Sequence, residues 1–468
     1  MTKTRFCPSP TGYIHLGNAR TALFNVLLAK HESGAFLFRI EDTDQARFEQ
    51  DYVDCLLEDL QWLGLQWDEG PGCDVVEHAP YFQSKRQAIY DKYYEVLIEK
   101  GQAYPCFCSE QQLDFARKAQ QRAGQPPRYS GTCASLSVAE VAKKLADGLK
   151  PTLRFRVPRA KQIIFEDLVK GRQAFNSDDM GDFIIRRANG TASFMYCNAL
   201  DDALMGVTHA LRGEDHLTNT PRQLMILEVL GLPCPQYGHL SLILGATSGR
   251  LSKREGSGSV RELRQEGYFP LAVLNYLARL GHYYESTAFM TLPELAKEFK
   301  VQSLIKAPAR FDESQLLYWQ KEAVIRADVA TFMHWIGDAA QLVPAHLQAD
   351  FIAAIKPNTV LPQDVALWAN ALFAQQLTYD EIARDVITQT PAEFWTTAID
   401  AIKQHHTDFK AISAAIKNTL GVKGKQLFLP LRIAFSGQQH GPEMQLLVDL
   451  LGEQQLIRRL MQVSQSVT

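Results

Sequence analysis

The feature that most constrains this chain is a helix-like run flanked by two short strand-like pieces near its amino end. Residues 3–7 are short and apolar enough for a strand, and Leu16, Ala19, Leu23, Val26 and Leu27 recur at helical spacing across residues 16–30. After Gly34 the run AFLFRIEDTD is almost continuously apolar until it ends in acids. Strand, helix, strand over that length is a βαβ unit, which implies a parallel sheet with ligands expected beyond the carboxyl ends of its strands. The joint FCPSPTGYIHLGNART sits at such an end. Pro8 and Pro10 stiffen the strand exit, Gly12 is expected to permit an unusual turn, and Gly17 to allow close approach of a flat ligand. The free N–H groups and positive dipole end of the following helix form an anion site, to which His15 adds a donor.

At 468 residues the chain exceeds what one hydrophobic core serves. The first half of a Rossmann-type parallel-sheet domain is placed at 1–101, where DYVDCLLEDLQWLGL and RQAIYDKYYEVLIEKG read as helices closed by glycine. Residues 102–190 break the pattern with a cysteine- and proline-bearing loop and the strand-like TLRFRVP and DFIIRRANG, and read as an inserted domain. The sheet resumes over 191–245, with SFMYCNALDD, HALRG and HLSLILG taken as strands and TPRQLMILEVLG as a helix. A loop and helical region is placed at 246–312, and 313–468 is almost entirely helical in pattern. The composition, 46% hydrophobic and 22% charged, is that of a folded globular chain, and a formal charge of -3 carries no global nucleic-acid signature. No apolar run approaches the ~20 residues that span a bilayer, and the start lacks a signal-peptide core. The cytoplasm is the expected location.

PSPTGYIHLGNART resembles the HIGH-type signature of class I aminoacyl-tRNA synthetases in its glutamyl form, and SGRLSKREGSGSV at 248–260 resembles the KMSKS loop of that family. Taken by its residues, the second stretch is a basic loop made flexible by serine and glycine and charged by Arg250, Lys253 and Arg254. The resemblance extends over the whole chain, including LPLRIAFSGQQHGPEMQLLVDLLGEQQLIRRL, which is similar to the last helices of bacterial glutamyl members. It implies an α/β Rossmann-type parallel-sheet catalytic domain, an inserted α+β domain that binds the tRNA acceptor end, and an all-α anticodon-binding region. It also implies a monomer that takes ATP with Mg2+, L-glutamate and tRNA(Glu), and in some members tRNA(Gln). Glutaminyl relatives read PEPNG and RFDDTN where this chain reads PSPTG and RIEDTD, and their anticodon module is β-barrel. A non-synthetase nucleotidyltransferase or a tRNA-binding homologue are further alternatives. The former does not need the helical C-terminal region, and the latter is expected to lack the pocket residues.

Carried over residue by residue, the resemblance puts His15, Gly17, Asn18, Ser252, Lys253 and Arg254 at ATP, with His15 and Lys253 serving the phosphates and Gly17 the adenine. It assigns Arg5 to the substrate's side-chain carboxylate, Glu41 to its α-amino group, and Ser9, Phe194, Asn198 and Arg212 to the rest of the glutamate pocket. Taken singly, each of these charges is an ordinary ion pair near a sheet edge; as a set they suit an acidic amino acid held at both ends. Phe194 departs from the tyrosine of many relatives, so either Tyr196 compensates or the pocket is polarised differently. Cys106, Cys108 and Cys133 resemble the zinc-binding insertion of several bacterial members. Three thiolates leave one place of a tetrahedral structural Zn2+ site open. Some relatives fill it with histidine where this chain has Ser135, and Tyr129 stands where a shorter relative has a tyrosine ligand.

Overall fold

The computed structural model describes the chain except residues 44–47, 74, 76, 246–257, 374–376 and 468. It forms two compact units, Met1–Leu263 with Val273–Glu313, and Arg264–Ala272 with Ser314–Thr468. In the first, β1 (Lys3–Phe6), α1 (Leu16–His31) and β2 (Ala35–Phe38) make the expected βαβ unit, with β1 and β2 parallel in the register Thr4↔Phe36. α1 buries most of its circumference rather than one stripe, because it lies between the sheet and residues 280–299, where Phe24 meets His282 and Phe299. Asn25 shows how a polar residue on it is accommodated: its side-chain amide donates to the Leu211 carbonyl at 2.9 Å, and its backbone carbonyl accepts from the Thr4 hydroxyl at 2.8 Å. α2 (Gln50–Trp62) and α3 (Gln87–Glu99) follow.

A long excursion comes next: β3 (Ala103–Cys106), α4 (Glu110–Arg122), α5 (Val138–Ala146), β4 (Thr152–Phe155), β5 (Gln162–Asp167), β6 (Gly171–Asn176) and β7 (Phe183–Arg186). β3, β4 and β7 form an antiparallel sheet and β5 and β6 a hairpin. α4 and α5 fall in residues not read as helix from the sequence. Neither buries a residue, yet each opens with a capping box, Ser109 with Gln112 and Ser137 with Glu140, and α5 repeats Val138, Val141, Ala142 and Leu145 at helical spacing.

The chain then returns through α6 (Phe194–Leu204), β8 (His209–Gly213), α7 (Thr220–Leu230), β9 (Gln236–Leu240) and the short β10 (Ile243–Leu244). SFMYCNALDD, expected as a strand, is the start of α6. No residue of that segment is β-branched, and its continuous apolar character reflects a helix buried on several faces, from Tyr196 through Ala203. The parallel sheet runs β2-β1-β8-β9, with β1 at its centre and Arg212 opposite His239 in the β8–β9 register.

The second unit is helical among its described residues. Its core includes Trp395, Ile402, Ile412, Leu431, Leu447 and Leu460, drawn from successive helices between Ala392 and Val467. Met444–Val467 is broken at Gly452, whose φ of 69° and ψ of 162° interrupt the helical course. No described helix of the chain is long and apolar enough to cross a membrane.

Candidate active site and cysteine cluster

Arg5, Ser9, His15, Gly17, Asn18, Glu41, Phe194, Asn198 and Arg212 all line one cavity of about 590 Å³ in the first unit. It lies where the sheet ends meet the start of α1. The β1 extension is held beside that of β2 by the amides of Arg39 and Glu41, which donate to the carbonyls of Phe6 and Pro8 at 3.0 Å each. Ser252, Lys253 and Arg254 lie outside the described residues. The flanks of that segment are described: Ile243 and Ser259 both line the cavity, and Ser259 bridges to His15.

His15 caps α1 with extended backbone angles, and its Nδ1 accepts from the Asn18 amide at 3.3 Å. An Nδ1 used as acceptor leaves the proton on Nε2, so the neutral ring offers one N–H. The surrounding protein lowers its pKa, which favours that neutral form. Gly17 has a role nearer than the one expected. A Cβ there would stand 3.0 Å from the His15 ring, so glycine lets the imidazole fold over its own helix start. Gly12 does not adopt a positive φ, and a Cβ there would meet nothing within 4 Å, so the unusual turn expected of it is absent.

Behind the cavity lies a buried charge network. Asp202, whose side chain is 0% exposed, takes Arg39 at 2.7 Å and Arg5 at 3.3 Å. Asp201 takes Arg86 at 2.7 Å, Gln83 at 2.9 Å and the Tyr90 hydroxyl at 2.7 Å. Burial holds the carboxyl of Glu41 above its ordinary pKa despite Arg39 at 3.4 Å and the Asn198 amide. A cation entering the cavity would restore the charged form of Glu41.

The two arginines on the cavity wall differ. Arg5 is spent on Asp202 and the Leu211 carbonyl, with only Nη2 lacking a partner. Arg212, 5% exposed, forms no ion pair among the described residues. Its acceptors are all neutral: Thr220 and Gln223 at 2.7 Å, His239 at 3.2 Å and Asn198 at 3.4 Å. Burial lowers its pKa accordingly. A buried guanidinium surrounded by neutral acceptors suits an anion in kind.

Phe194 stacks on His216, with centroids 5.1 Å apart. Burial and the nearby Arg212 push the His216 pKa down to about 4, so the ring is neutral. Tyr196 does not compensate for the missing hydroxyl. It is fully buried in the core, donates to the Tyr90 carbonyl at 2.8 Å and stacks on Tyr94. His216, Asp202 and His239 were not singled out from the sequence. Asp202 and His239 lie inside quoted stretches, SFMYCNALDD and HLSLILG, and His216 follows HALRG, but nothing in their spacing distinguishes them from neighbouring acids and histidines.

The three thiols Cys106, Cys108 and Cys133 lie within 4.8 Å of one another in the inserted segment. The Tyr129 hydroxyl stands 3.4 Å from the Cys106 sulfur and 3.5 Å from that of Cys108. Ser135 is exposed. Burial raises the Cys106 thiol, but hydrogen bonds from Tyr129 and Arg154 outweigh it and hold the pKa at about 7. Three soft donors around one point, one readily ionised and a phenol beside them, suit Zn2+ in kind and number. A second cavity of about 550 Å³ opens beside this cluster, lined by Arg117, Arg128 and Arg154.

Comparison with known proteins accounts for nearly the whole chain. Residues 1–318 match the family model for the catalytic domain of class I tRNA synthetases (E and Q), and 325–463 match an anticodon binding domain. The chain is 53% identical over 466 residues to glutamate-tRNA ligase 2 of Coxiella burnetii, covering 99% of this chain and 100% of that one. It is also 53% identical to glutamate-tRNA ligase 2 of Nitrosococcus oceani, over 98% of this chain and 97% of that one. A crystal structure of a glutamate tRNA ligase from Elizabethkingia meningosepticum in complex with its amino acid superposes with a TM-score of 0.90 at 27% identity, over the full length of both chains.

Proposed function

Because the chain belongs to the class I tRNA synthetases of the glutamate and glutamine type, we propose that the cavity described above is where it activates its amino acid. The reaction is that of an ATP-dependent glutamate-tRNA ligase. A carboxylate oxygen of L-glutamate attacks the α-phosphorus of ATP, pyrophosphate leaves, and a terminal ribose hydroxyl of tRNA then takes the acyl group as AMP departs. No covalent bond to the enzyme is needed, so catalysis is positioning and charge stabilisation.

The observation that carries the residue assignment is the charge imbalance of the pocket. Arg212 supplies a buried positive charge unmatched by any ion pair among the described residues, and Arg5 supplies an unpartnered Nη2. Together they suit the side-chain carboxylate of glutamate, while Glu41 suits its α-ammonium. Asn198 links the two ends, donating to Glu41 and accepting from Arg212. Glutamine would leave the Arg212 charge uncompensated, which favours glutamate as the substrate. His15 and the first-turn amides of α1 face the phosphates, Gly17 and Asn18 complete that wall, and Lys253 with Ser252 and Arg254 acts from the segment between Gly245 and Gly258. ATP arrives with Mg2+, which shields its phosphate charge.

Cys106, Cys108 and Cys133 hold a structural Zn2+, with Tyr129 rather than Ser135 as the fourth ligand. tRNA(Glu) is the acceptor of this reading, tRNA(Gln) a second candidate, and the enzyme acts as a monomer. Charging of purified tRNA(Glu) and tRNA(Gln) with labelled glutamate and glutamine tests the assignment. Glutamate transfer to tRNA(Glu) is expected, and efficient transfer of glutamine would overturn it.

A further inference from the structure

We propose that Asp167 and His239 are positioning residues that fix Arg212 as the reader of the substrate's side-chain charge. The proposal rests on the glutamate reading above. Asp167 and His239 have side chains 0% exposed, and they meet through Oδ2 and Nδ1 at 2.5 Å. The other oxygen of Asp167 is already engaged: Oδ1 accepts from the amides of Val169 at 2.9 Å, Lys170 at 2.7 Å and His239 at 3.2 Å. A carboxylate can only accept, so the imidazole proton sits on Nδ1 and Nε2 is a bare acceptor. Arg212 Nε donates to that nitrogen at 3.2 Å.

The hydroxyl of Thr220 closes the ring. It lies 2.7 Å from Arg212 Nη2, from which it accepts, and 3.0 Å from His239 Nε2. The β8–β9 register that sets Arg212 opposite His239 makes this geometry a property of the sheet rather than of a loop. Asp167 ends β5, so a strand of the inserted segment reaches beneath the amino-acid pocket and sets its histidine tautomer. The arrangement orients the guanidinium with neutral partners only. Its charge is left for the ligand, which an acidic partner in direct contact would have cancelled.

Asp167→Asn tests this without changing volume. Three amides keep Oδ1 in place as an acceptor, so the new NH2 group must face Nδ1. The imidazole proton is then driven to Nε2, where it opposes the Arg212 Nε–H, donor against donor. A wrong-tautomer substitution of this kind can cost orders of magnitude in a catalytic site. Here the expected result is a ~10- to 100-fold rise in the glutamate KM, with the ATP KM unchanged and the preference for glutamate over glutamine reduced. In a His239→Leu background, itself raised in glutamate KM, Asp167→Asn should add less than ~2-fold, because the relay is already gone. An Asp167 that merely braces its own turn would cost the same in both backgrounds, and that outcome overturns the proposal. If the His239→Leu chain does not fold, the single variant still decides: an unchanged glutamate KM, or an equal rise for ATP, overturns it. A wild-type enzyme that fails to use glutamate would instead overturn the functional reading itself.

Discussion

Arg5 and Arg212 share a cavity wall, and the structure separates what each is worth. Replacing Arg5 with glutamine leaves Asp202, 0% exposed, with Arg39 at 2.7 Å as its one cationic partner among the described residues. Breaking a buried ion pair by removing one partner costs ~3–5 kcal/mol; with Arg39 retained, the lower end, about 3 kcal/mol, applies. At ~2–4 °C per kcal/mol for units of this general size, the melting temperature should fall by about 6–12 °C. Arg212→Gln removes no ion-pair partner and leaves neutral acceptors, two of which the new amide can still serve, so a stability loss of about 1–2 kcal/mol is expected. Catalysis should show the reverse ranking of specificity effects. Losing the uncancelled charge at Arg212 removes a desolvated contact worth ~3–5 kcal/mol to glutamate and little to glutamine, so the ratio of their kcat/KM values should contract by ~10²–10⁴-fold. Steady-state charging with both amino acids, combined with thermal melts of each variant, provides the comparison. An Arg212→Gln enzyme that keeps its preference for glutamate, beside an Arg5→Gln enzyme that melts like the parent, would refute the reasoning on both counts.

Lys253→Ala should lower the rate of glutamyl-adenylate formation by ~10²-fold or more while glutamate affinity changes little, because the ammonium acts on charge that develops in the transition state; pyrophosphate exchange measures it. Elemental analysis should find about one equivalent of zinc, lost in the Cys106→Ser, Cys108→Ser double variant and weakened in Tyr129→Phe; full zinc retention in the last would remove the phenol from the ligand set. His282 is 2% exposed, packs against Phe299 and has its pKa pushed down to about 4 by burial. The unfolded chain binds that proton more readily, so the stability it contributes is complete above pH ~6.5 and declines by about 3 kcal/mol as pH falls towards 4. Denaturant melts of His282→Gln across that range should show a flatter acid limb, and an unchanged slope would rule out this source.

The βαβ start was legible because it is written in local periodicity, and Ser9, His15, Gly17, Asn18 and Glu41 on the cavity wall were legible because the first signature stretch and RIEDTD are contiguous strings. The charge balance of the cavity was not. The difference between Arg5 and Arg212 depends on which carboxylates approach each, and Asp202 comes from α6, a segment whose buried faces disguise its helical period. Asp167 and His239 are separated by 72 positions and joined only through sheet and hairpin geometry, so no spacing rule finds them. α4 and α5 show the opposite failure: their capping signals, and in α5 the helical spacing of Val138, Val141, Ala142 and Leu145, were present in the sequence but were not read as helix.

The central position of β1 also carries a temporal cost. Its neighbour β8 lies 205 residues further along, as the bond from the Lys3 amide to Thr208 records. At ~5–20 residues per second, a ribosome needs about 10–40 s to deliver that partner after β1 has emerged. Throughout that interval one edge of β1 is bare, and a bare edge invites pairing with other nascent chains. Lys3 and Arg5, buried in the finished sheet, are then exposed cations on a four-residue strand, the kind of edge that resists such pairing. The Arg5 charge that later lines the cavity thus guards the strand while it waits.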